Sequence, residues 1–215
     1  MAYFPAMTNA LLLALPALLL VCVPLYGAEN KSGSGSSRNV EVESFLYVPA
    51  KPAPADDRAR AEAARAAAEK GSASAQFNLG LMYRKGLGVP RDDRKAVEWY
   101  EKAAAQGHGP AQANLGYMIE SGVGVAKDGK RAVELYEKAA AQGIAPAQFN
   151  AGMHFARGDF ATQDDVRACA WLKLAADNGV ADAGDQLEIV RRRLTPEQKA
   201  EADKLAQSLV HKSQR

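Results

Sequence analysis

The sequence predicts an all-α fold, a solenoid of antiparallel helix-turn-helix repeats. Three observations predict it. The chain repeats itself at a shift of 36 residues, each repeat carries two helical stripes separated by a glycine turn, and alanine is abundant while β-branched runs are scarce. A fixed period of this length marks a stack of supersecondary units, each too small to bury its apolar face alone.

The repeat is read directly. Ala75-Gln76-Phe77-Asn78-Leu79-Gly80 falls on Ala111-Gln112-Ala113-Asn114-Leu115-Gly116, and both fall on Ala147-Gln148-Phe149-Asn150-Ala151-Gly152. The stretch from Ala96 to Gly107 falls on that from Ala132 to Gly143. The first helix of a unit spans about Ala75 to Lys85, with Leu79 and Tyr83 on one face and Gly80 beside them, where a neighbouring helix can approach. Gly86-Leu-Gly-Val89 then turns the chain, and Gly122-Val-Gly-Val125 repeats the turn. Asp92, Asp128 and Asp164 stand where a short acidic side chain caps the second helix. That helix buries Ala96, Tyr100, Ala103 and Ala104, places Glu98 and Lys102 (and Glu134 and Lys138) at ion-pair spacing outside, and ends at Gly107 or Gly143.

These elements divide the chain into 1–28, an apolar leader or membrane anchor; 29–55, a Gly/Ser/Pro-rich linker arm; 56–74, a partial first repeat; full repeats at 75–110 and 111–146; a degenerate repeat at 147–182, whose turn is Gly158-Asp-Phe160; and capping helices at 183–215. Thr195-Pro196-Glu197-Gln198 has capping-box spacing, and the helix that it opens turns Ala202, Leu205 and Leu209 inward. Within the arm, residues 40–48 alternate and then become continuously apolar. They read either as a free tether or as a strap that packs on the helices.

The pattern Ala-x-x-x-Leu-Gly-x-x-Tyr-x-x-Gly-x-Gly-Val, followed by Ala-x-x-Trp/Leu-Tyr-x-Lys-Ala-Ala-x-Gln-Gly, resembles the Sel-one-like repeat (SLR) family, relatives of tetratricopeptide repeats. Residues 75–146 match closely, and 147–182 match with a changed turn. The resemblance implies a right-handed superhelix of helix pairs that serves as a protein-interaction scaffold. Bacterial members are often exported and serve envelope assembly, signalling or host contact.

Composition excludes several classes. Lys and Arg total 27 against 25 Asp and Glu, so no charge excess points to nucleic acid or an anionic membrane. Residues 1–28 hold no Lys, Arg, Asp or Glu, and their apolar core over 10–23 has the length of a secretory segment. Export to the periplasm is the expectation, with retention as a membrane anchor the alternative. If the leader is removed, Cys169 is the one remaining cysteine, which rules out a disulfide framework and suits a small buried residue.

No enzyme chemistry emerges. Gly86-x-Gly88 lacks the Gly-Lys-Ser/Thr ending of a phosphate loop. Asp92-Asp93 and Asp164-Asp165 precede helices, as caps do. His108 in a turn, His154 in a helix and His211 near the end have no second ligand at metal spacing and read as surface residues. Arg191-Arg-Arg193 reads as a solvated helix end. Some cysteine-rich SLR relatives are named as β-lactamases, but this chain has neither their paired cysteines nor a Ser-x-x-Lys. No cofactor is expected.

A protein or peptide partner is expected instead. In helical-hairpin arrays the first helices line the concave groove. Positions two before and two after the core leucine turn toward it: Phe77 and Leu81, Ala113 and Tyr117, Phe149 and Met153. Arg84 and Glu120 lie one turn on. The expected binding stripe is therefore Phe77, Leu81, Arg84, Tyr117, Glu120, Phe149 and Met153, aromatic and aliphatic with polar edges. Phe77 and Phe149 read equally well as core.

Overall fold

The structure is a computed structural model that describes residues 54–213. The chain divides into two units, 1–37 and 38–215, and all described residues belong to the second. The leader or anchor, the arm and its 40–48 segment lie outside the described residues, as does His211 at the level of its side chain.

Among the described residues there are nine helices and no strand. They are α1 (Pro54–Glu69), α2 (Ala73–Lys85), α3 (Asp93–Ala105), α4 (Gly109–Ser121), α5 (Gly129–Ala140), α6 (Ala145–Arg157), α7 (Asp165–Asp177), α8 (Ala183–Arg191) and α9 (Pro196–Ser213). The pairs α2/α3, α4/α5 and α6/α7 are the three hairpins, and each even helix also packs on the odd helix before it. The fold is an all-α solenoid.

Local chemistry sets the helix ends. The carboxylates of Asp92, Asp128 and Asp164 accept from the backbone N–H of Lys95, Arg131 and Arg167 and start α3, α5 and α7. Pro110 and Pro146 stand in the first turns of α4 and α6, where no N–H is needed. Gly86, Gly122 and Gly158 close α2, α4 and α6 in the left-handed conformation. Gly88 and Gly124, also at positive φ, let the turn lie against the backbone of Asp57 and Asp93, where a Cβ would collide.

Packing repeats with the sequence. A Cβ on Gly80 would meet the Tyr100 ring at 2.6 Å, and one on Gly116 would meet the Tyr136 ring at 3.0 Å. The missing side chain of α2 or α4 is thus the seat of the tyrosine on its partner helix. A glutamine ladder joins the repeats. Gln76, Gln112 and Gln148 donate to the carbonyls of Ala68, Ala104 and Ala140 at 3.1–3.2 Å. Their own side-chain oxygens accept from Gln106, Gln142 and Asn178 at 2.7–2.8 Å. Each ladder step satisfies a buried carbonyl at the end of one hairpin with an amide from the next.

The third repeat solves its turn differently. Phe160 stands where Gly124 stands one repeat earlier, and Gly129 stands where Asp93 stood. The Phe160 ring fills the space that a Gly129 side chain would need. At the C-terminal end, Thr195 and Gln198 form the expected capping box. The helix that it opens, α9, packs on α7, and Ala202 and Ala206 are buried while Leu205 and Leu209 are half-buried.

Three surface expectations are corrected. Lys102 lies over the Trp99 ring at 3.9 Å, and Glu101 and Glu137, not Glu98 and Glu134, take the partners, pairing with Arg131 and Arg167 of the following repeat. Arg191 and Arg193 are not a free basic end: they pair with Asp203 and Asp165 and so fasten the cap. His154 is not a surface residue but is 2% exposed.

Candidate partner-binding face

The seven expected stripe residues part into two groups. Phe77 and Phe149 are buried at 9% and 3% exposure, with Ala113 between them in register, and belong to the core. Phe77 packs on the rings of Tyr100 and His108. Leu81, Tyr117 and Met153 are half-exposed and rest on the core from the same register position of α2, α4 and α6. They form one apolar position presented three times, 36 residues apart.

The polar residues of the stripe are tied into the protein. Arg84 is buried, and its guanidinium lies 5.2 Å from the centre of the Tyr117 ring, so α2 holds the ring of α4 by a cation–π contact. Glu120 is drawn inward. The Tyr136 hydroxyl donates to one carboxylate oxygen at 2.8 Å, and Nε2 of His154 faces the other at 3.4 Å. The His154 ring stacks on Tyr136 with centroids 5.9 Å apart. Burial pushes the Tyr136 hydroxyl well above the usual tyrosine range, and the Glu120 charge and its hydrogen bond push the same way. This cluster joins α4, α5 and α6, one repeat to the next. Sequence reasoning missed it, although a signal was present: His154 occupies the register position of Met82 and Met118, an apolar position.

His108, placed in a turn as expected, caps α4 by accepting from the Ala111 N–H through Nδ1. Burial lowers its pKa. Cys169 is buried, and burial pushes its thiol up, away from reactivity. Among the described residues no group of three His, Cys, Asp or Glu could hold a metal. No helix among them is long and apolar enough to cross a membrane.

A stack of helical hairpins with one recurring half-exposed apolar position belongs to the class of tandem helical-repeat proteins. The Sel1 repeat profile matches residues 73–108, 109–144 and 145–180, together half of the chain, and the chain belongs to the Sel1 repeat family. Among solved structures it is similar to c5321, a protective antigen present in uropathogenic Escherichia coli strains displaying an SLR fold. Identity is 35% and the TM-score 0.64, over 71% of this chain and 33% of that one. It is also similar to a Sel1 repeat protein from Oxalobacter formigenes, at 36% identity and TM-score 0.54, over 56% of this chain and 49% of that one. The chain thus spans a third to a half of the length of these relatives. No curated protein matches. Sel1 repeat proteins generally act as protein-interaction scaffolds and are typically non-catalytic.

Proposed function

We propose that this chain is an adaptor of the bacterial cell envelope that binds a protein or peptide partner along Leu81, Tyr117 and Met153. The observation that carries the reading is the threefold recurrence of a large, half-exposed apolar side chain at one register position of α2, α4 and α6. A core position would be buried in every repeat, as Leu79 and Leu115 are. A merely solvated one would carry polar residues, as the position of Lys95, Arg131 and Arg167 does. Residues spaced in this way suit an extended partner that crosses successive helices, with the Tyr117 ring, steadied by Arg84, as the anchor.

Export is supported by the uncharged apolar run over 10–23 and by the likeness to a bacterial antigen. Retention of that run would make the same scaffold a membrane-tethered component of an envelope complex. Intact mass of protein recovered from the native host separates these states: a start near Glu29 means cleavage, a start at Met1 retention. The face itself is tested by placing a photo-reactive phenylalanine derivative at Tyr117 or at Glu134, an exposed position of α5. The proposal expects one discrete adduct from position 117 and none from 134, and adducts from 134 alone would move the binding face to the odd-numbered helices.

A further inference from the structure

The register of Leu81, Tyr117 and Met153 does not stop at the third hairpin. Counting on by 36 residues from Met153 reaches Ile189 in α8, a helix beyond the three matched repeats. That helix keeps the register of the others. Ala183 is fully buried, as Ala111 and Ala147 are, and Val190 is buried, as Met118 and His154 are. α8 packs on α7 as α4 packs on α3 and α6 on α5. Ile189 therefore stands where Leu81, Tyr117 and Met153 stand, and it is 54% exposed.

A single isoleucine on a surface is ordinary, but this one is kept where the core no longer asks for anything. The position that seats the facing helix at Gly80, Gly116 and Gly152 is an exposed glutamate in α8, Glu188. Four residues before Ile189, where Phe77 and Phe149 are core, stands the exposed Asp185. The helix has thus given up the hairpin contact and the core phenylalanine, and has retained a large apolar residue at the position of the line.

The charges beside the line are one-sided. Three or four residues after its members stand Lys85 at the end of α2, Arg157 at the end of α6 and Arg192 just past α8, each half-exposed or exposed. Arg157 is held only loosely, at 3.9 Å from Asp159. The acid on that side of α4, Glu120, is turned inward to the Tyr136 hydroxyl and His154. Three residues before the line each helix carries an uncharged amide: Asn78, Asn114, Asn150 and Gln186. Spacing adds a second constraint. Packed helices lie roughly 10 Å apart and an extended chain advances about 3.3 Å per residue, so a peptide crossing the helices meets one member of the line about every third residue.

We propose that the binding face continues onto α8 with Ile189 as its fourth apolar contact, and that it selects an acidic, extended segment of a partner protein. The apolar side chains of that segment recur about every third residue, and the carboxylates between them face Lys85, Arg157 and Arg192. This rests on the reading of Leu81, Tyr117 and Met153 as a binding face, and adds where that face ends and which chemistry it prefers.

The test uses the full chain and a fluorescein-labelled peptide of about twelve residues, with leucine at every third position and glutamates between, read by fluorescence anisotropy. A second peptide has lysine in place of each glutamate. The glutamate peptide is expected to bind at least about tenfold more tightly than the lysine peptide, and Lys85→Glu with Arg192→Glu should erase or reverse that preference. Ile189→Ser, a change at an exposed side chain, should weaken the glutamate peptide roughly fivefold with an unchanged melting temperature. Equal affinity for the two peptides, or no binding of the glutamate peptide, would overturn the assigned chemistry. Full affinity in Ile189→Ser would overturn the extension onto α8. If Tyr117→Ala with Met153→Ala still weakens binding in that case, the line ends at α6 and the binding face itself stands, so the two readings fail separately.

Discussion

At the scale of the residue, stability rests on small side chains in fixed places. Gly116 seats the Tyr136 ring at 3.0 Å and the Ala132 carbonyl at 3.3 Å, leaving no room for a branched side chain. Gly116→Val should cost on the order of 1–3 kcal/mol and lower the melting temperature by several degrees. A variant melting with the parent would mean that Tyr136 moves aside freely. His108 gives a pH-dependent effect. Its folded pKa lies below the unfolded value of 6.5, because burial disfavours the charged ring and its Nδ1 already accepts from the Ala111 N–H. The unfolded chain therefore binds the proton first. The neutral ring's contribution is full above pH 6.5, is lost as pH falls through the interval down to the folded pKa, and changes no further below it. His108→Asn keeps a capping side chain without the titration, and denaturant midpoints measured from pH 7.5 downward should fall less steeply for the variant than for the parent. Parallel curves would show that His108 does not set the slope.

The caps Asp92, Asp128 and Asp164 were legible because capping is local and repeats in register. The glutamine ladder was visible as recurring letters only, since its partners lie eight and thirty residues away. His154 was misread for a related reason. Helical spacing gives the face of a residue within its own helix, whereas the face that meets the preceding repeat follows only from comparison with Met82 and Met118.

At the scale of the element, the degenerate turn of the third repeat is a compensated exchange. A glycine at 124 against Asp93 becomes Phe160 against Gly129. Gly129→Ala should collide with the Phe160 ring and lower stability by about 1–3 kcal/mol, and Phe160→Gly in the same chain should recover a good part of it. A double-mutant cycle by chemical denaturation measures the coupling. Strict additivity would mean that the exposed Phe160 ring swings further into solvent at no cost. The changed motif was plain in the sequence, but its partner was not, because the pairing crosses from one repeat turn to the start of α5. The end of the array was legible in outline: the capping box at Thr195 foretold α9, but not that α9 packs on α7 with Arg191 and Arg193 fastening it.

At the scale of the molecule, the repeat converts one local choice into a line. The period of 36 residues sets both the solenoid and the register of Leu81, Tyr117 and Met153. Periodicity could not say how far each side chain sinks, and so Phe77 and Phe149 were open to two readings until their burial decided for the core. Arg84 and Glu120 were expected at the edge of a groove. They are instead held by contacts with Tyr117, Tyr136 and His154. The proposed function makes this line the binding face. Its most direct measurement is the affinity of the purified native partner, obtained by affinity capture from envelope fractions, for the parent chain and for Tyr117→Ala combined with Met153→Ala, with circular dichroism and melting recorded on both. At least a tenfold loss of affinity, about 1.4 kcal/mol, is expected, with helicity and melting temperature close to those of the parent. Unchanged affinity in a folded double variant would contradict it.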